Sequence, residues 1–270
     1  MFGSLGLRRY AIRGGVEGRE RLRLLSEVMG SSTRALLADV QIPAGATCLD
    51  IGCGGGDVAF DLARSVGSQG RVVGVDLDEV ELDLARLEAQ THGLSNVTFE
   101  RQDVTQWEPQ GQFDVVYSRF LLTHLPDPAA LVATVRRHLR PGGVFIVEDI
   151  DFRGHFAEPA CQALVRSVEF YTQVVQKRGA DPYIGPRVPA LLREAGFDPI
   201  ALKLFHPAAL EGGIKQLICV TLEKIADAIL DDGLATPDEL RETIADLNDF
   251  ARNPQTVLGG PRVFQTWGRS

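Results

Sequence analysis

Residues 48–57 read CLDIGCGGGD: a β-rich apolar run, four glycines and a closing aspartate. Glycine lets a turn adopt backbone conformations that a Cβ forbids and lets a ligand lie against the main chain. The stretch therefore predicts a tight strand-to-helix turn at a binding site. Its surroundings set the architecture. From position 47 to about 150, short β-rich runs alternate with stretches whose apolar residues recur at helical spacing. The pattern predicts strands at Thr47–Ile51, Arg71–Val75, Val97–Arg101, Phe113–Ser118 and Gly143–Asp149, with helices at Val58–Val66, Val80–His92 and Leu131–Leu139. Such alternation builds βαβ units around a parallel sheet. Open sheets of this kind bind ligands beyond the carboxyl ends of their strands, which is where the glycine loop falls.

Outside this core, two helices are predicted at Gly18–Gly30 and Ser32–Val40, the second with Ser31 or Ser32 as its cap. After it come helical patterns at Pro159–Lys177 and Val188–Ala195 and a strand at Ile200–Phe205. A helix pair is expected at Ile214–Leu230 and Pro237–Ala251, with Thr236-Pro237-Asp238-Glu239 as a helix start, and a closing strand at Val263–Trp267. With no repeat and no linker, the economical division is an N-terminal helical cap over 1–45 and one ligand-binding domain over 46–270. That domain carries a helical insertion at about 207–255. The apolar face of Leu217, Ile218, Leu222 and Ile225 suits a lid or an acceptor pocket; packing on the N-terminal helices or on a dimer partner suits it equally.

Charge and cysteine usage exclude several classes. A net charge of −8 opposes attraction to phosphate backbones, so nucleic acid is not expected as a partner. The local excess of Arg8, Arg9, Arg13, Arg19, Arg21 and Arg23 reads as a solvated helix face. No apolar run reaches the ~20 residues of a membrane span, and no signal-peptide pattern opens the chain, so a cytoplasmic protein is expected. Cys48, Cys53, Cys161 and Cys219 lack metal-ligand spacing and read as reduced thiols; no metal site is expected.

The acids narrow the ligand. A dinucleotide loop needs glycine at its first, third and sixth positions, with an open helix N-terminus for the pyrophosphate. Counting from Gly52, the third residue is Gly54 but the sixth is Asp57, which would cap the helix and repel a pyrophosphate. A ligand with a cationic amino-acid end fits better, because Asp50 and Asp57 can attract an ammonium or sulfonium region. Asp76 ends the next strand in VVGVD, about 20 residues past the loop, where a carboxylate can accept two ribose hydroxyls. Asp103 ends a third strand in ERQDV and could accept an adenine amino group.

Together, CLDIGCGGGD, VVGVD, ERQDV, FDVVYSRFLLTHLPDP and LRPGGVFIVED resemble class I S-adenosylmethionine-dependent methyltransferases, especially the ubiquinone-biosynthesis-like group acting on small molecules. The matching motifs span about 48 to 150. The resemblance implies an α/β fold with a Rossmann-like seven-stranded mixed sheet in the order 3-2-1-4-5-7-6, the last strand antiparallel. It implies S-adenosyl-L-methionine as cofactor and S-adenosyl-L-homocysteine as product. By the family pattern Gly52 and Gly54, with Cys53 between them, approach the methionine part, and Asp50 supports its amino group. Asp76 holds the ribose, Leu77 packs on adenine, Gln102, Asp103 and Val104 meet the adenine edge, and the Ser118 carbonyl faces the ammonium. The stretches Tyr10–Gly15 and Pro261–Arg269 also look like features of bacterial members. Tyr10 would then close over the cofactor, and Arg21 or Arg119 would pair with its carboxylate; surface salt bridging is the rival reading.

Methyl transfer from a sulfonium is an in-line displacement. Holding the nucleophile about 3–3.5 Å from the methyl carbon supplies much of the acceleration. For an oxygen acceptor a positioned base helps, and His124 in LLTHLP is the candidate by family analogy, its alternative being to order the turn before Asp127-Pro128. His155 and His206 are weaker candidates. Glu148, Asp149 and Asp151 are expected to face the cleft and to suit a cationic or hydroxylated acceptor, or else to be solvated. Phe152, Phe156, Phe170 and Tyr171 would suit an aromatic or polyketide-like acceptor, or the core. The expected function is O- or N-methylation, more than C-methylation, of a small molecule in bacterial secondary metabolism, by a protein that could dimerise. The alternative keeps the cofactor but catalyses a cyclisation or decarboxylation; a protein or RNA methyltransferase is a third class.

Overall fold

The computed structural model describes residues 18–270, so Tyr10 and the arginines before it lie outside the described residues. The chain opens with α1 (Arg19–Val40) and then alternates strand and helix. The order is β1 (Thr47–Ile51), α2 (Asp57–Val66), β2 (Arg71–Asp76), α3 (Glu79–Thr91), β3 (Val97–Arg101), β4 (Phe113–Arg119), α4 (Pro128–His138) and β5 (Leu139–Asp151). Beyond β5 lie β6 (Phe156–Glu158), α5 (Gln162–Lys177), α6 (Val188–Glu194), β7 (Ile200–Phe205) and β8 (Ala208–Ala209). The insertion comprises α7 (Gly213–Lys224), α8 (Ala226–Asp231) and α9 (Pro237–Arg252), before β9 (Val257–Gly259) and β10 (Arg262–Arg269).

Seven strands form one sheet in the order β3-β2-β1-β4-β5-β10-β7. Counted along the chain within this sheet, that is 3-2-1-4-5-7-6, and β10 runs antiparallel to both β5 and β7. The central strands are buried on both faces, which is why β1 reads as a continuous apolar run of Cys48, Leu49 and Ile51 around Asp50. One face is covered by α1, α2 and α3 and the other by α4 and α6, each through its own buried cluster. A third cluster joins α1, α5 and the insertion helices beyond the end of β5. A small sheet, β6-β9-β8, ties the insertion down and was not anticipated from sequence.

Helix starts follow local chemistry. Asp78 caps α3 by accepting from the Val80 N–H, and Asp127 caps α4 ahead of Pro128. Thr236 and Glu239 form a reciprocal capping box on α9. Two expected helix divisions differ in the structure, and β5 extends past its expected Gly143–Asp149 to Leu139–Asp151. The predicted break at Ser31/Ser32 is absent: α1 is continuous because Leu25, Met29, Leu36 and Val40 keep one buried stripe through it. Ser32 and Thr33 instead meet sheet residues, Ser32 Oγ accepting from Gln265 and Thr33 Oγ1 donating to Glu148. Conversely the expected helix Ile214–Leu230 breaks at Ile225, a buried residue whose backbone leaves the helical region between α7 and α8.

Candidate functional site

The glycine loop turns at the carboxyl end of β1. Gly52 and Gly54 adopt φ of 73° and 50°, the left-handed region that favours glycine. The Gly52 and Cys53 N–H groups donate to the Val75 carbonyl at 2.8 and 3.0 Å, and the Gly54 N–H donates to Asp76 Oδ2 at 2.9 Å. A Cβ on Gly52 would meet Leu121, and one on Gly54 would meet Leu22 of α1, each at 3.3 Å, so the loop stays bare beneath these side chains.

A cavity of about 1240 Å³ opens over this loop. Asp50, Gly52, Cys53, Gly54, Asp76, Leu77, Gln102, Asp103, Val104, Arg119 and His124 all line it. The acids differ in state. Burial and then repulsion from Asp57 push the Asp50 carboxyl up to about 8, and its Oδ2 is buried with no hydrogen-bond partner. Burial also raises Asp76, opposed by the N–H groups of Asp78 and Gly54 that its two oxygens accept. Asp103 is exposed; its Oδ1 accepts from the Thr105 N–H and hydroxyl at 3.0 and 2.6 Å.

Several expectations change here. Asp57 does not cap α2: Gly56 stands at that position, and the Asp57 carboxylate pairs with Arg119 at 2.6 Å. Burial works against the Arg119 charge, but Asp57, Tyr117 and Glu148 around it raise its pKa, so the guanidinium stays charged. Arg119, expected at a cofactor carboxylate, is thus already held by an acid. Ser118 is fully buried with its hydroxyl unpartnered and is not among the cavity's lining residues. Trp107 and Tyr117 line the cavity and were missed, having no motif to mark them.

The acidic cluster expected to follow the fifth strand lies within β5 and does not face the cleft. The strand runs on to Asp151, and β10 covers it. Glu148 is buried, accepting from Tyr117, Thr33 and Gln265. Asp149 is buried, accepting from the Thr123 and Ile150 N–H groups, and burial pushes it up to about 7. Asp151 binds Arg153 and Arg262.

A second, narrow cavity of about 60 Å³ adjoins the first, sharing Arg21, Leu25, Phe120 and His124 with it. Its walls come from α1, α5, α7 and the end of β5 and include Leu217, Ile218, Leu222 and Ile225, the face left open between pocket and packing. Here α7 packs on α1, and the cavity lies between them. Phe152 and Tyr171, stacked at 3.9 Å between ring centroids, form one wall. Phe156 instead packs edge-on against His206, and Phe170 packs into the core. Phe120, at the junction, holds a φ of 54°, unusual for a residue with a side chain and a form of strain that collects at functional sites. Burial, then the nearby Arg21 charge, lower His124 to about 3. Burial lowers His155 to about 4, its Nδ1 lying 2.8 Å from the Phe152 carbonyl. His206 Nε2 sits 3.0 Å from the Gly154 and Gly260 carbonyls, away from both cavities' shared mouth.

Comparison with known proteins bears on this arrangement. Residues 42–194 match the family model described as a methyltransferase domain. The ubiquinone biosynthesis O-methyltransferase of Acinetobacter baumannii (strain ACICU) is 37% identical over 102 residues, 37% of this chain and 42% of that protein. The trans-aconitate 2-methyltransferase of Azoarcus sp. (strain BH72) is 36% identical over 117 residues, 43% of this chain and 44% of that protein. The chain thus spans less than half the length of the curated relatives described here. Among solved structures, a Bacillus halodurans C-125 protein described as a candidate methyltransferase superposes with a TM-score of 0.60 at 22% identity. The match covers 88% of this chain and 98% of that one and shows a shared fold.

Proposed function

This chain belongs to the methyltransferase-domain family, and from that premise we propose that it transfers a methyl group from S-adenosyl-L-methionine to a small-molecule acceptor. The observation that carries the reading is the pair of joined cavities, one acidic and bare-floored at the strand ends, the other narrow and apolar, meeting at Arg21, Phe120 and His124. The residues fit the cofactor: Asp50 Oδ2 is a buried oxygen with no partner, aligned with a loop that a Cβ would obstruct. Asp50 and the loop would hold the amino-acid end, Asp76 the ribose, and Leu77, Gln102, Asp103 and Val104 the base, with Trp107 beside them.

The bound cofactor supplies an electrophilic methyl group on a sulfonium. The chain's part is to position and to exclude water. The two cavities meet at a mouth walled by Leu25 and Phe120, so an acceptor in the apolar cavity reaches the cleft directly, with its approach fixed by the walls. His124 stays neutral at ordinary pH, and a base that weak draws little proton from a hydroxyl near pH 7. It therefore serves better as a hydrogen-bonding part of the wall. A small acceptor, as opposed to nucleic acid, is supported by the net charge of −8 and by the narrowness of the second cavity.

Turnover with methyl-labelled donor tests the reading: label in the acceptor, matched by an equal amount of S-adenosylhomocysteine, is expected. Product formed without S-adenosylhomocysteine would replace methyl transfer by a cyclisation or decarboxylation on the same fold. The binding half is tested by Asp76→Ala, expected to weaken S-adenosylhomocysteine by about 1–3 kcal/mol through a lost charged hydrogen bond. Unchanged affinity removes Asp76 from the ribose site.

A further inference from the structure

Resting on that reading, we infer that the acceptor is a slim apolar carboxylic acid, its chain in the narrow cavity and its carboxylate at Arg21 where the two cavities meet. Among the described residues lining the narrow cavity, Arg21 is the only one that carries a charge, and no carboxylate lines it. Its Nε donates to Thr221 Oγ1 of α7 at 3.2 Å, which fixes the guanidinium against the wall of this cavity. The other described arginines lining the cleft are held by acids, Arg119 by Asp57 and Arg178 by Asp232. A guanidinium at the mouth of a mainly apolar cavity selects an anion and rejects an ammonium. The volume of about 60 Å³, well below the ~150 Å³ of a cavity that holds benzene, takes the tail of an alkyl chain, whose remaining carbons and carboxylate lie at the shared mouth.

The chemistry of the wall agrees. The histidines lining the cavity, His124 and His155, are both held neutral by burial, with values of about 3 and about 4, and neither can serve as an effective base near pH 7. A carboxylate needs none, being already ionised there. One of its oxygens attacks the methyl carbon. The new C–O bond forms as the C–S bond breaks, the sulfur keeps the electron pair, and a neutral ester and neutral thioether result. No proton moves. An alcohol would need deprotonation and an alkylamine would arrive as a cation beside Arg21.

The test is calorimetric titration of the full chain, with S-adenosylhomocysteine bound, by hexanoate, octanoate, their primary amides and hexylamine. The carboxylates are expected to bind about tenfold or more tightly than amides of equal length, and hexylamine not at all. In Arg21→Gln that preference is expected to vanish while S-adenosylhomocysteine affinity holds. Ile218→Phe, which fills the tunnel, is expected to abolish binding of acid and amide alike. Equal binding of acid and amide by the native chain, tighter binding of the amine, or no binding of any probe overturns the inference. So does an Arg21→Gln variant that loses S-adenosylhomocysteine in place of the acid, since that assigns the guanidinium to the cofactor's carboxylate. Failure of the native chain to bind S-adenosylhomocysteine instead sinks the proposed function itself.

Discussion

Asp50 shows how much one buried side chain can report. Left to the protein's own groups it keeps its proton up to about pH 8, because burial and Asp57 oppose its charge. A ligand ammonium beside it favours the carboxylate and lowers that value. Affinity for S-adenosylhomocysteine is therefore expected to rise with pH, by up to about tenfold per unit, and to level off above about 8. Calorimetry in two buffers of different ionisation enthalpy near neutrality should show a proton released on binding; a flat affinity across this range contradicts the assignment. The stability sign is opposite to that of a salt-bridged acid. Its folded pKa lies above the ordinary 3.8, so between the two values the unfolded chain has lost a proton that the fold retains, and stability falls as pH rises toward about 8. Asp50→Asn should lose the pH dependence of binding, bind S-adenosylhomocysteine roughly tenfold more weakly near pH 8, and melt higher there. The three strand-end acids were legible because a glycine loop and β-rich runs fix where strands end. Glu148, Asp149 and Asp151 misled because their partners are distant in sequence: Gln265 lies 117 residues from Glu148, and Arg262 lies 111 from Asp151.

Elements with strong periodicity were readable, and those set by tertiary contacts were not. The strand Ile200–Phe205 and the start of α9 fall where pattern and capping chemistry put them. β8 has two residues and β6 and β9 three each, too short to show a period. The break between α7 and α8 carries no glycine or proline, and α1 runs through Ser31 and Ser32, with the Ser32 and Thr33 hydroxyls bonded to side chains of the sheet. Lys215 is another tertiary device. Fully buried at the start of α7, its ammonium donates to the carbonyls of Leu210, Asn253 and Thr256 and to the Thr256 hydroxyl, all at 2.7–2.9 Å. It sews the first turn of α7 to the segment after α9 through oxygens of the main chain and one hydroxyl. Lys215→Met would take the ammonium's bonds from the Leu210 and Thr256 carbonyls, leaving Thr256 Oγ1 to its bonds with the Phe250 and Asn253 carbonyls, and a loss of roughly 2–3 kcal/mol is expected in chemical denaturation. Because α7 walls the narrow cavity, octanoate binding should weaken while S-adenosylhomocysteine binding changes little; equal loss of both would mean that Lys215 supports the whole fold.

On the scale of the molecule, the strand ends of the sheet open one cavity and the added helices wall the other. Sequence located the first because five strands in order leave few topologies. It left the second open because the narrow cavity exists only where α1, α5 and α7 converge, and no run of residues encodes that meeting. Among the described residues no helix is long and apolar enough to cross a membrane. Hydrogen exchange is expected to separate the two sites. S-adenosylhomocysteine should slow exchange in the glycine loop and at Arg21–Leu25, and octanoate should then add protection in α1 and α7 but none in α3 or β3. Protection by octanoate confined to the loop would place it in the cofactor cleft.

The position of β10 between β5 and β7 also sets a clock. Chains grow from the N-terminus at about 5–20 residues per second, so the 111 residues between Asp151 and Arg262 correspond to roughly 5–20 s of synthesis. Throughout that interval the edge of β5, with Phe145, Ile146 and Val147 along it, has no strand to close it. β7 has been made but has nothing in the sheet to join. A substitution that delays the docking of β10 would leave the finished chain unchanged and lengthen the time its nascent form spends with a sticky edge open to other chains.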